Sequence, residues 1–138
     1  MVIMSVDYGD ARTGIAICDA MEFLASPVEV IHQSYEPKIL NRIKDLCDKY
    51  KPSQIVVGLP KNMDSSIGER AQKCISFAEN IKELTGIETV MWDERLTTVE
   101  AHNYLNITNT RGQKRKNVVD AVAATIILQD YLDYRKKH

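Results

Sequence analysis

The hydrophobic pattern of this chain changes period once, and that change constrains its fold more than any other feature. Residues 2–7, 13–18 and 23–31 are short runs of strand character separated by turn residues, with gaps too short to hold helical crossovers. Such runs can pair only as an antiparallel meander. Pro27 falls inside the third run, and its missing N–H puts that strand at a sheet edge. From there the spacing becomes three and four: Ile39, Leu40, Ile43, Leu46, Cys47 and Tyr50 describe an amphipathic helix that Lys51-Pro52 ends.

The second half alternates. Ile55-Val56-Val57 reads as a buried strand stopped by Gly58-Leu59-Pro60. Ser66 and Glu69 have the spacing of a capping box opening a helix through Ala71, Cys74, Ile75, Ala78 and Ile81, which Gly86 closes. Residues 88–92 form another strand, and Thr97 with Glu100 makes a second capping box for a short helix through Ala101, Tyr104 and Leu105. A polar loop from Asn106 to Lys116 then precedes a last helix, Val118 to Tyr134. The expectation is an α/β fold: a mixed five-stranded sheet, three meander strands plus two parallel ones, with helices on its faces. At 138 residues and 44% hydrophobic content the chain forms one domain over 1–138. Ligands of such sheets gather beyond the carboxyl ends of the parallel strands, so function is expected at that rim.

A formal charge of -1 gives no global footprint of a nucleic-acid binder, so any such surface must be local. Cys18, Cys47 and Cys74 are odd in number, far apart and embedded in apolar patterns, which suits reduced core thiols of a cytosolic protein. No basic-then-apolar leader opens the chain, and no apolar run approaches the ~20 residues of a membrane span, so a cytoplasmic protein is expected.

Three acids stand where stability alone would not put a charge. Asp7 ends the run Val2 to Val6, Glu94 follows Val90-Met91-Trp92-Asp93, and Asp120 interrupts Val118 to Ala124. A buried carboxylate is costly unless it is neutralised, hydrogen-bonded or bound to a metal, so their convergence would make a divalent-cation site. Adjacent strand residues face opposite ways, so Asp93 and Glu94 do not act as equals unless the strand has already ended; Glu94 is taken as the ligand. Asp120 has a second reading: with Asn117 as N-cap it would occupy the third helical position, where the helix dipole favours a carboxylate. Arg12, in the turn with Gly9 and Gly14, and Lys114 and Lys116, in the basic run with Arg111 and Arg115, are the candidate phosphate contacts, although such runs are ordinarily solvated surface. The polar loop at 62–66 could hold a phosphate or merely cap a helix. His32 and His102 have no partner at metal-ligand spacing.

In this order, Val6-Asp7-Tyr8-Gly9 with Arg12 and Gly14, Val57-Gly58-Leu59-Pro60 with Asn62-Met63-Asp64, Asp93-Glu94-Arg95-Leu96-Thr97-Thr98, and Lys116 with Val119-Asp120-Ala121 and Ala123-Ala124 resemble the YqgF family. These are Holliday-junction-resolvase-like nucleases also associated with maturation of the 5′ end of pre-16S ribosomal RNA. The resemblance covers nearly the whole chain and implies a ribonuclease H-like fold. It also implies a metal-dependent nuclease in which Asp7, Glu94 and Asp120 are the catalytic, metal-binding acids. One or two Mg²⁺ or Mn²⁺ ions are the expected cofactors, Mg²⁺ because it binds through few carboxylates and keeps its waters. Structured RNA, pre-ribosomal particles or branched DNA are the expected partners. The expected function is cleavage of phosphodiester bonds in structured nucleic acid at the 5′ end of precursor 16S RNA, with junction resolution and a non-catalytic nucleic-acid-binding or ribosome-assembly role as the alternatives. One departure is visible: Ser65 stands where the family's loop usually has glycine.

Overall fold

A computed structural model describes residues 1–60, 68–93 and 112–137, and within the last stretch the side chains of 122–136. The elements are β1 (Ile3–Tyr8), β2 (Thr13–Cys18), β3 (Ala25–Ile31), α1 (Glu36–Tyr50), β4 (Gln54–Leu59), α2 (Glu69–Thr85), β5 (Glu88–Asp93) and α3 (Gly112–Lys137). The five strands form one sheet in the order β3-β2-β1-β4-β5. The β1–β2 and β2–β3 pairs are antiparallel, and β1–β4 and β4–β5 are parallel. This is the expected meander plus two parallel strands, with Pro27 on the edge strand β3. The β2–β3 register shifts between Ile15, opposite Glu29, and Ala16, opposite Pro27, so the proline sits where the ladder is already interrupted.

Alternation along the strands divides the core in two. On one face Val6, Ile15, Ile55 and Val57 pack with Ile39 and Ile43 of α1 and Phe77 and Ile81 of α2. On the other, Ile3, Ala16 and Val56 pack with Ala124, Ile127, Leu128 and Leu132 of α3. The buried positions of α1, Ile39, Ile43, Leu46 and Cys47, fall on the predicted stripe, and Lys51 in the left-handed region closes the helix with its amide on the Cys47 carbonyl. Gly86, at φ 72°, closes α2 with its amide on Lys82. All three cysteines are free and buried. No described helix is long and apolar enough to cross a membrane.

Three local expectations are corrected. The third strand starts at Ala25, because Oδ1 of Asp19 accepts hydrogen bonds from the amides of Phe23 and Leu24 and holds both in the turn, leaving their side chains 61% and 65% exposed. Helix α2 is capped by Gly68 with no side-chain cap bond, so Glu69 is its first residue and not the third position of a capping box; Ser66 lies outside the described residues. Finally α3 begins at Gly112: Lys114, Arg115 and Lys116 are helical, and Asn117 is interior and no N-cap. Lys, Arg and Gln are good helix formers, so polarity in 112–117 marks a solvated helical turn as readily as a loop. The second proposed capping box, Thr97 with Glu100, and the helix it would open lie outside the described residues.

Candidate active site

The site is built from the end of β1 outward. Ile3, Ser5 and Asp7 alternate onto the α3 face, with Ile3 in the core and Ser5 fully buried. Ser5 has no side-chain partner within the sheet; its hydroxyl donates to the carbonyl of Ala124 at 2.7 Å. Toward the other end of the helix, the Tyr131 hydroxyl donates to Oε1 of Gln54 at 2.7 Å, and Gln54 is level with Ile3 in the β1–β4 ladder. Helix α3 therefore runs antiparallel to β1. Two residues along the strand from Ser5 to Asp7 is roughly 7 Å, and four residues back along the helix from Ala124 to position 120 is roughly 6 Å. Position 120 lies one helical turn before Ala124, on the side of Asp7. The sequence shows why the helix can come so close: β2 presents Gly14, Ala16 and Cys18 beneath it, and Gly14 pairs directly with Asp7.

This end of the sheet is also where its connectivity reverses. β1 continues into β2 on one side, while β4 on the other side is reached through α1, and crevices at such switch points collect ligands. After Asp7 the chain turns through Gly9 to Arg12, and a Cβ on Gly9 would collide with the Arg12 carbonyl oxygen, so glycine is required there. Arg12 follows directly, half-buried at the rim. Asp93 closes β5 opposite Leu59 and alternates with Met91 onto the α1–α2 face, away from Asp7. Glu94 lies outside the described residues, as do 62–66, and His32 is an exposed residue just past β3.

Among the predicted site residues, then, Asp7 and position 120 are brought to one end of one sheet face, with Arg12 in the adjoining turn. Lys114 and Lys116 are on the first turns of α3. Position 116 is one turn before 120, whereas position 114 is about 200° around the helix from 116. Asp120 lies well inside α3, whose first turn holds no acid, so a helix N-terminal role for it is excluded. Among the described residues no three acids, histidines or cysteines form a metal-binding group. Carboxylate oxygens are nonetheless the donors that hard divalent cations take, and Asp7 supplies one at the rim.

Sequence reasoning missed two residues. Ser5 gave the same signal as Asp7, a polar residue inside an apolar run, but Arg70 gave none. Arg70, in the first turn of α2, donates to the Tyr8 carbonyl and to Asp10. A cleft of about 470 Å³ opens beside them on the α1–α2 side, and its wall carries Glu36 and Glu69, with Asp10 paired to Arg70, against the single cation Lys73, a balance that disfavours a phosphate.

A meander followed by two parallel strands, with one helix laid across the face that carries an acid at the end of the first strand, defines the ribonuclease H-like class. T. thermophilus RuvC in complex with a Holliday junction substrate shares this fold, with a TM-score of 0.63 and 14% identity over 99% of this chain and 96% of that one. The fowlpox virus Holliday junction resolvase does so at 0.60 and 13%, over 97% and 99%. A family model described as "RuvX: Holliday junction resolvase" matches residues 1–134, and the chain belongs to this family, the one its motifs resemble. A relative from Halothermothrix orenii, named "Putative pre-16S rRNA nuclease", is 46% identical over 137 residues, 99% of this chain and 98% of its own.

Proposed function

We propose that this protein is a cytoplasmic, divalent-metal-dependent nuclease that hydrolyses phosphodiester bonds in structured nucleic acid, with the 5′ end of precursor 16S RNA as its substrate. The supporting observation is the Ser5–Ala124 hydrogen bond, which ties α3 to β1 at a depth that leaves position 120 beside Asp7 at the switch point of the sheet. The name of the 46%-identical relative favours ribosomal RNA. Asp7, Glu94 and Asp120 would hold one or two Mg²⁺ or Mn²⁺ ions. When bound, such ions make water nucleophilic at neutral pH and stabilise the leaving oxygen.

The chain's own residues do the rest. Ser5 fixes the spacing between the elements that carry Asp7 and Asp120, so the acids are held before substrate arrives. Arg12, at the end of the Gly9 turn that follows Asp7, and Lys116, one turn before Asp120, neutralise phosphates flanking the scissile bond, with Lys114 further round the helix. All of this is carried by one domain.

Branched DNA is the second reading, favoured by the description of the family model and by the fold shared with junction resolvases. Incubating the protein with a precursor 16S fragment and with a synthetic four-way junction, each with Mg²⁺, Mn²⁺ or chelator, tests both. Metal-dependent cleavage of the RNA at its 5′ side is the expected result. Cleavage of the junction alone would replace the substrate. Binding of either without cleavage under any metal would leave a non-catalytic assembly factor.

A further inference from the structure

The two ladders that hold β1 do not end together. Pairing with β2 continues through Asp7 opposite Gly14 and Tyr8 opposite Thr13. Pairing with β4 stops at Val6 opposite Val57, and β4 goes on with β5 alone as far as Leu59 and Asp93. Beyond Val6 the ladder to β4 has ended, and Tyr8 keeps its strand pairing to Thr13 of β2. A main-chain carbonyl left without a ladder partner needs another donor.

Arg70 supplies it. One terminal nitrogen donates to the carbonyl of Tyr8, and the other to Oδ1 of Asp10 at 2.7 Å. The guanidinium carbon lies 5.2 Å from the centroid of the Tyr8 ring, and that ring is stacked on Phe77 at 3.9 Å with the planes 2° apart. A residue of the helix that follows β4 thus reaches across the crevice and grips both residues that bracket Gly9, immediately after Asp7. Asp10 is 84% exposed, so the ion pair itself adds little stability in water. What the fork provides is geometry: two donors in one rigid plane, aimed at two acceptors.

We infer that Arg70 is a positioning residue for the nuclease reaction: it replaces the β4 partner that β1 lacks beyond Val6 and holds the Asp7 carboxylate in register at the crevice. The inference rests on the reading of Asp7 as a catalytic acid, but it requires no contact between Arg70 and substrate. It also accounts for the Arg70–Asp10 pair, since the acid keeps the guanidinium turned toward the main chain of the turn.

The test is steady-state cleavage by Arg70→Met, Arg70→Lys and Asp7→Asn, on whichever of the RNA fragment or the four-way junction the wild type cleaves. Methionine keeps the apolar stem against Tyr8 and removes the fork. A displaced catalytic group acts on turnover, so kcat should fall by at least about tenfold while KM changes by less than about threefold. Arg70→Lys, able to satisfy one acceptor at a time, should recover part of kcat. Amide hydrogen exchange of the same proteins should show faster exchange confined to residues 8–12 in Arg70→Met. Unchanged kcat, a raised KM at wild-type kcat, or faster exchange throughout the sheet would each overturn the inference. Asp7→Asn separates the two levels. Loss of cleavage there keeps the site reading whatever Arg70 does, and wild-type turnover there removes the site reading and this inference together.

Discussion

Ser5 and Ala124, 119 residues apart in the chain, are joined by a buried hydrogen bond of 2.7 Å from the Ser5 hydroxyl to the Ala124 carbonyl. It is a long-range constraint on how α3 lies across β1 and, like the Tyr131–Gln54 bond, a buried polar link within a layer of apolar contacts. Ser5→Ala removes the donor and should cost about 1 kcal/mol, a fall of roughly 2–5 °C in Tm. Cleavage should fall further than that loss of stability explains, because the spacing of Asp7 from Asp120 relaxes. Thermal melts alongside kcat measure both, and a stable variant with full activity would show that the bond only supports the fold.

The opposite faces of Asp7 and Asp93 give a direct comparison. Asp7→Asn and Asp120→Asn should each lower kcat by at least about 10³-fold with folding intact, in line with losses on removing essential catalytic groups. Asp93→Asn, on the α1–α2 face, should stay within about tenfold of wild type, and Glu94→Gln should match Asp7→Asn and Asp120→Asn. An Asp93 variant more damaged than the Glu94 one would reverse the assignment at that strand end.

The helical placement of the basic residues makes them unequal. Lys116→Ala should weaken nucleic-acid binding and reduce the slope of log K against log salt by about one contact, while Lys114→Ala should change the slope by much less. Filter binding across a salt series reads this. Equal effects of the two variants would mean that both cations track the backbone independently of the acids.

Metal should stabilise the fold through the same residues. Carboxylates converging without a cation repel one another, and a divalent ion that binds only the native state raises Tm. Mg²⁺ is expected to raise the Tm of the wild type over chelator. Asp120→Asn should be at least as stable as wild type in chelator and respond little to Mg²⁺. A variant equally destabilised in both conditions would give Asp120 a purely structural role.

Away from the rim, Glu29 on the edge strand β3 accepts two hydrogen bonds from Arg42 of α1, at 2.7 and 2.8 Å. The Arg42 guanidinium holds the Glu29 carboxyl below its usual range, against the opposing effect of burial. A depressed folded pKa means stability that is present above the unfolded value, near 4.3, and lost as pH falls through the folded one. Glu29→Gln should therefore lower stability by about 0.5–1 kcal/mol at pH 7, with the gap from wild type closing below about pH 4. Denaturation at pH 7 and pH 3 would expose a constant gap if packing rather than charge were responsible.

The sequence by itself determined the class of sheet, the edge position of β3, the two glycine-dependent turns at Gly9 and Gly86, and the candidate acid Asp7. Each follows from local chemistry: strand runs too close for crossovers, a proline without an N–H, glycines in a turn-rich stretch and just past a helical pattern, and a carboxylate at the end of an apolar run. The start of α3 was not legible, because a polar stretch of good helix formers reads equally as loop until a packed continuation extends it. Nor were the roles of Ser5 and Arg70. A serine in a strand and an arginine on a helix surface are common, and only the docking of α3 on β1, and of α2 across the end of β1, gives them acceptors 119 and about 60 residues away. Tertiary structure decided which polar groups meet, because hydrogen-bond partners remote in sequence leave no periodic trace in it.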